Sequence, residues 1–160
     1  MKAEGIDDYI VLQNHQGEVQ QYLTFMMAAE EYGIDILKVQ EIRGWEEITQ
    51  IPNAPDFIKG VINLRGTIVP IVDLRLRFNI AAKAYGPLTV VIVVKEYVGD
   101  KEKVVGLVVD AVSDVYTINN DDARTAPEFH DSTDNDFVDR LVNVGDKMVI
   151  LLDLPKIIDC

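Results

Sequence analysis

Two stretches of this chain are written twice. Tyr32 to Ile42 reads YGIDILKVQEI, and 73 residues later Val105 to Val115 reads VGLVVDAVSDV, with Gly in the second place of each, Val in the eighth and an acid in the tenth. Asn63 to Leu74, NLRGTIVPIVDL, is echoed by Asn143 to Leu154, NVGDKMVILLDL, at an offset of 80 with Asn, Val, Asp and Leu in register. Two echoes in the same order at similar offsets describe a chain built from two copies of one unit, the second slightly expanded.

The content of each copy is strand-like. VVIVV, VVGLVV, GTIVPIV and KMVILL are β-branched runs bounded by Gly, Pro, Asn and Asp, too short for amphipathic helices. Turn signals at Asn14 to Gly17, Gly99-Asp100 and Gly145-Asp146 have the spacing of small antiparallel sheets. Such strands close most readily into small barrels, which hide their edges. The expected architecture is therefore all-β, two linked barrels with few helices. Ala54 to Lys59, Leu74 to Asn79 and Leu154 to Asp159 are each expected to form a short helical turn. Gly99 to Lys103 and Asn119 to Asp136 read as exposed loops. LTVVIVV, residues 88 to 94, is apolar on both faces, so a second surface must cover it.

Charge and cysteine usage narrow the function. Fifteen basic against 27 acidic residues give a net charge of −12, which repels nucleic acid and anionic membrane surfaces. The single cysteine, Cys160, leaves no disulfide framework and no cysteine metal cluster, as expected of a cytoplasmic protein. The start MKAEGIDDYIVLQ has no basic region followed by an apolar core, and no run is long enough to span a bilayer as a helix.

Catalytic readings are thin. Asp73 and Asp153 stand at matching places of the second echo and could act as a carboxylate pair. Each also follows a strand and precedes a short helical segment, where a carboxylate caps backbone N–H groups, and this is the stronger reading. DSTDND, residues 131 to 136, lacks the Gly and the bidentate Glu of a calcium loop. His15 and His130 are isolated, and no GxGxxG or GxxxxGK[ST] is present, so neither a metal nor a cofactor is called for.

What remains is surface. Val39, Glu41 and Ile42 lie where the alternation of YGIDI breaks down, with Arg43 and Trp45 close behind. Apolar anchors beside charges suit a protein–protein contact, although Val39 and Ile42 could equally be core. Arg65, in a bend between Gly60 and Gly66, needs a carboxylate if it is held down. Glu41 is the candidate, as a structural clip or as a recognition pair.

At these residues the chain resembles a known family. EEYGIDILKVQEIRG, PDFIKGVINLRGTIVPIVDLR and VVGLVVDAVSDV are similar to the CheW coupling proteins of bacterial chemotaxis, from about Gln20 to about Ile158. The resemblance implies one domain over 20–158 behind an N-terminal extension at 1–19. It also implies a fold of two five-stranded SH3-like β-barrel lobes packed around a shared apolar interface. It implies no catalysis and no cofactor. The partners would be the regulatory domain of the kinase CheA, docked on the first barrel, and the cytoplasmic hairpin tip of chemoreceptors, taken by the groove between barrels. Carried over residue by residue, the partner-contact region falls on Val39, Glu41, Ile42, Gly60, Arg65, Thr89 and Val90. Rival readings are a small-ligand or peptide module using that groove, and a hydrolase built on Asp73 and Asp153.

Overall fold

The computed structural model describes residues 19–125 and 137–159. The Asn14 to Gly17 turn, His15, His130, the acidic run 131 to 136 and Cys160 lie outside them.

Among the described residues, eleven strands and two short α-helices follow one another as β1 (Val19–Met27), β2 (Glu30–Asp35), β3 (Val39–Gly44), β4 (Ile58–Leu64), β5 (Thr67–Asp73), α1 (Leu74–Arg77), β6 (Val90–Val98), β7 (Lys101–Val109), β8 (Ala111–Asn119), β9 (Ala123–Thr125), β10 (Val138–Val144), β11 (Lys147–Leu152) and α2 (Leu154–Ile158). They form two sheets, β3-β6-β7-β5-β4 and β8-β1-β2-β11-β10-β9, each the wall of one SH3-like lobe. The second sheet has a sixth strand, the three-residue β9.

The two copies seen in the sequence are not the two lobes. Copy one supplies β3, β4 and β5 to the first lobe but gives β1 and β2 to the second, while copy two lends β6 and β7 to the first. Each borrowed hairpin brings one parallel contact into an otherwise antiparallel sheet, β7 along β5 and β2 along β11. Both echoes mark this exchange. In the first, Ile71 pairs with Gly106 and Leu151 with Gly33, so the two glycines occupy equivalent places in the parallel contacts. A Cβ on Gly106 would stand 2.6 Å from Ile71 Cδ1 and 2.8 Å from Val91 Cγ1, which is why no side chain fits there. The alternation of YGIDI breaks where a 3-10 turn, Ile36–Lys38, carries the chain from one sheet to the other.

Inner strands are buried on both faces. Val91 and Val93 point into the first barrel with Val69, Ile71 and Val108, whereas Ile92 and Val94 join Phe25, Ile34, Leu107 and Ile157 in a core between the lobes. This accounts for the unbroken apolar run of β6. Tyr22, Ile118, Val142, Val149 and Leu151 fill the second barrel.

The helices sit where expected at Leu74–Arg77 and Leu154–Ile158, but Ala54 to Lys59 does not become one. Ile58 N–H donates to Pro55 O at 3.0 Å to close a turn, and β4 begins at Ile58. Nor is Gly99 to Lys103 a loop. Only Gly99 and Asp100 turn, and the hairpin pairs on from Val98 opposite Lys101.

Arg75 of α1 ties three segments together. Its Nε and Nη2 donate to the Asp110 carboxylate at 2.8 and 2.6 Å, and Asp110 also accepts from Ala28 N–H at 3.0 Å in the β1–β2 turn. The Arg75 hydrogen bonds hold the Asp110 carboxyl below the ordinary carboxylate range against the opposing effect of burial. A depressed folded-state pKa gives stability that is present above the unfolded value of about 3.9 and is lost as pH falls through the folded value. Asp110→Asn is therefore expected to unfold more easily than the parent at neutral pH, with the gap narrowing below roughly pH 4, as read by urea unfolding. An equal gap at every pH would remove the ion pair from the account.

Candidate partner-binding surface

Among the described residues β3 is an edge strand of the first sheet, hydrogen-bonded to β6 alone, with Val39 opposite Val94, Glu41 opposite Val93 and Ile42 opposite Ile92. Opposed residues share a face, so Ile42 lies on the side of Ile92, the interlobe side. Ile92 is sealed but Ile42 at the edge is 44% exposed. Ile36, Val39 and Val90 are half-buried and pack against the same interlobe core. The core between the lobes therefore reaches solvent along β3, and three of the seven residues singled out by sequence lie on that seam.

Glu41 and Arg65 meet as expected. Arg65 Nη2 donates to Glu41 Oε1 at 2.9 Å, and Arg43 Nη1 donates to Glu41 Oε2 at 3.3 Å while its other amine bonds Glu46. Arg65 and Gly66 form a two-residue turn with φ of 52° and 86°, and Asn63 Oδ1 accepts from Gly66 N–H at 2.9 Å. The pair clips the β4–β5 turn to β3 across the barrel mouth. With the Arg65 side chain 78% exposed, this contact adds little to stability, ~0–1 kcal/mol, and leaves the guanidinium facing outward.

Gly60 and Thr89 are buried and offer no side chain to a partner. Gly60 lies within β4 at a bulge and not in the bend with Arg65, at φ 149°. Next to it Thr49 pairs with Val61 as an isolated bridge, with N···O distances of 3.1 and 2.8 Å. Thr89 holds the start of β6: its hydroxyl accepts from Gly86 N–H at 2.8 Å and its carbonyl accepts from Trp45 N–H at 3.1 Å. Trp45 turns inward, against the Tyr85 ring at 4.2 Å.

Both aspartates cap helices. Asp73 accepts from Arg75 N–H at 2.9 Å and from the Tyr85 hydroxyl at 2.5 Å, and burial together with that carboxylate pushes the Tyr85 hydroxyl well above its usual range. Asp153 accepts from Lys156 N–H at 3.2 Å. Each carboxylate caps its own helix, and the second oxygen of Asp73 is taken by Tyr85. Among the described residues no group of three or more His, Cys, Asp or Glu could hold a metal ion, and no helix is long and apolar enough to cross a membrane.

Sequence reasoning missed further exposed apolar residues on both lobes. Val115 on β8 is 44% exposed and occupies the place of Ile42, while Ile68 on β5 and Met148 on β11 are exposed at matching places of the other echo. Carrying Ile42 through the 73-residue offset would have found Val115.

Both the sequence and the fold match known proteins. The CheW-like domain family matches residues 21–160. A relative from Klebsiella aerogenes described as Chemotaxis protein CheW is 49% identical over 139 residues, 87% of this chain and 81% of the relative. A Probable chemotaxis protein CheW from Rhizobium etli is 34% identical over 149 residues, 93% of each. Among solved structures, the scaffolding protein TtCheW of Thermoanaerobacter tengcongensis superposes with a TM-score of 0.78 at 34% identity, covering 88% of this chain and 93% of that one.

Proposed function

The chain belongs to the CheW family, whose members are chemotaxis scaffolds, and from that premise we propose that it is a non-catalytic cytoplasmic adaptor. It couples the regulatory domain of the histidine kinase CheA to the cytoplasmic hairpin tips of methyl-accepting chemoreceptors and helps assemble their array at the membrane. The observation that carries this reading is the interlobe core reaching solvent along β3, where Ile42 stands open beside half-buried Val39 and Val90. Such a seam gives the apolar face of a helical hairpin a place to continue a core that already exists, and apolar anchors of this kind carry most of the energy of an interface. The Arg65 and Glu41 clip beside it gives the kinase domain a charged rim on the first lobe, which selects partners more than it strengthens binding.

Two substitutions test the two contacts separately. Ile42→Asp places a charge on the seam, and binding of a receptor hairpin fragment should weaken about tenfold or more with the melting temperature nearly unchanged. Calorimetry giving the parent affinity would remove Ile42 from the contact. Arg65→Glu sets two carboxylates against each other at the barrel mouth and is expected to reduce kinase control in reconstituted receptor arrays. Full control after that reversal would leave Arg65 a surface charge only.

A further inference from the structure

Strand β1 begins before its neighbour β2 is there to meet it. Val19, Gln20 and Gln21 pair with Asn119, Ile118 and Thr117 of β8, but pairing with β2 starts only at Tyr22, opposite Asp35. Asp35 is where the chain leaves this sheet. Its carboxylate accepts from Leu37 N–H at 2.9 Å and caps the 3-10 turn that leads to β3. Among the described residues, 19–21 therefore keep an open edge on the β2 side, and alternate residues of a strand turn their N–H and C=O groups toward such an edge.

An open slot of about 320 Å³ runs along this edge, with Val19, Gln21, Thr117, Ile36 and Leu37 among its walls. Leu37 is 81% exposed and Val19 38% exposed, so the slot faces solvent. Gln21 is opposite Thr117 and two residues from Val19, which puts all three on one face, the face from which Leu23 enters the interlobe core. Ile36 packs against the same core from the opposite wall. An exposed leucine alone is ordinary. Here it stands beside an open strand edge, and the chain just ahead of that edge carries a matching sequence.

Residues 1–18 lie outside the described structure. Within them Tyr9 to Leu12 reads YIVL, a strand-forming run, and the turn formers Asn14 to Gly17 separate it from β1. A four-residue loop over 14–17 sets Gln13 opposite Glu18, then Leu12 opposite Val19, Val11 opposite Gln20 and Ile10 opposite Gln21. This register lays the apolar run on the three open residues and puts Ile10 and Leu12 on the face of the slot. One step further, Tyr9 would fall opposite Tyr22, where β2 already holds the edge.

We propose that residues 10–12 fold back across the 14–17 turn as a short strand on the open edge of β1, with Ile10 and Leu12 covering Leu37 and Val19 in the slot. A strand from another protein must displace a segment tethered at Val19, whose effective concentration at the slot is of the order of millimolar. The segment seals the interlobe core at its Ile36 end and leaves Ile42 open. The site goes beyond the adaptor reading and does not depend on it.

The test uses the full chain, isotope-labelled, and reads nuclear Overhauser contacts and amide exchange. Contacts of Leu12 with Val19 and of Ile10 with Leu37 are expected. Ile10→Asp combined with Leu12→Asp should abolish them and lower amide protection within 10–12 about tenfold or more. Leu37→Ser, a change at an exposed residue, should lower the same protection about threefold, which separates docking in the slot from a hairpin that stands free. Absence of contacts between 9–13 and 19–37 would overturn the proposal. So would Leu12 facing Gln20 in place of Val19, a slip that turns the apolar set away from the slot, or protection untouched by Leu37→Ser. In a mixture of labelled and unlabelled protein, contacts found only between chains would also overturn it by giving the slot to the segment of a second copy.

Discussion

Gly60→Ala is expected to destabilise the protein by about 3 kcal/mol and to lower its melting temperature by roughly 6–12 °C. A Cβ at this position would stand 2.2 Å from the Thr49 carbonyl oxygen and 2.9 Å from its carbon. Both atoms are backbone, so relief requires moving the whole 45–57 segment away from β4. The same carbonyl accepts from Val61 N–H at 2.8 Å, so that movement breaks the bridge closing this side of the first barrel. The φ of 149° adds strain to any residue other than glycine. An alanine variant melting with its parent would mean that the segment is held by something other than the Thr49–Val61 bridge.

Arg77→Met should have an effect of similar size. The guanidinium carbon of Arg77 lies 4.8 Å from the Phe57 ring centroid and 4.7 Å from that of Phe137, so the cation is held between residues that introduce β4 of one lobe and β10 of the other. Its Nε donates to Ile157 O at 2.9 Å and its Nη2 to Lys156 O and Asp159 O at 3.1 and 3.3 Å, which satisfies carbonyls at the end of α2. Methionine keeps the stem and removes the charge, the donors and both ring contacts. Charge-assisted hydrogen bonds and cation–π contacts of these types together amount to about 3 kcal/mol once their overlap is allowed for. Hydrogen exchange should show α2 amides losing protection ahead of the barrels. Lysine at this position keeps the charge but lacks the planar fork, and an intermediate melting temperature is expected. Unchanged protection of α2 in Arg77→Met would show that Leu154, Ile157 and Ile158 hold the helix by burial alone.

The two-copy pattern and the strand runs were legible in the sequence because β-branched residues bounded by turn formers leave few alternatives. The aspartate caps and the Glu41–Arg65 contact were legible because they need only local geometry and opposite charge. Strand exchange was not legible, since a repeat shows which residues are equivalent and says nothing about which copy they pair with. Ala54 to Lys59 has the proline of a helix start, but Ile58 pairs with Val72 in the sheet, and that long-range contact decides. Gly99 to Lys103 has loop composition, yet Lys101, Glu102 and Lys103 continue the β6–β7 ladder, and Lys95 lies 3.7 Å from Glu102 across it. Gly60 and Thr89 belong to the neighbourhood that the family resemblance marks, and the structure places both in buried positions. Their type alone could not separate a buried place from an open one.

Each lobe's wall contains a hairpin that the other half of the chain encodes. A cut through the connecting stretch between α1 and β6 would therefore release no fragment owning a whole barrel: each piece would carry two unfinished sheets with raw edges, and only reunion with its complement could finish either. The molecule is a single knot of mutual dependence, so a push delivered to one barrel is already a push on the strands that build its neighbour.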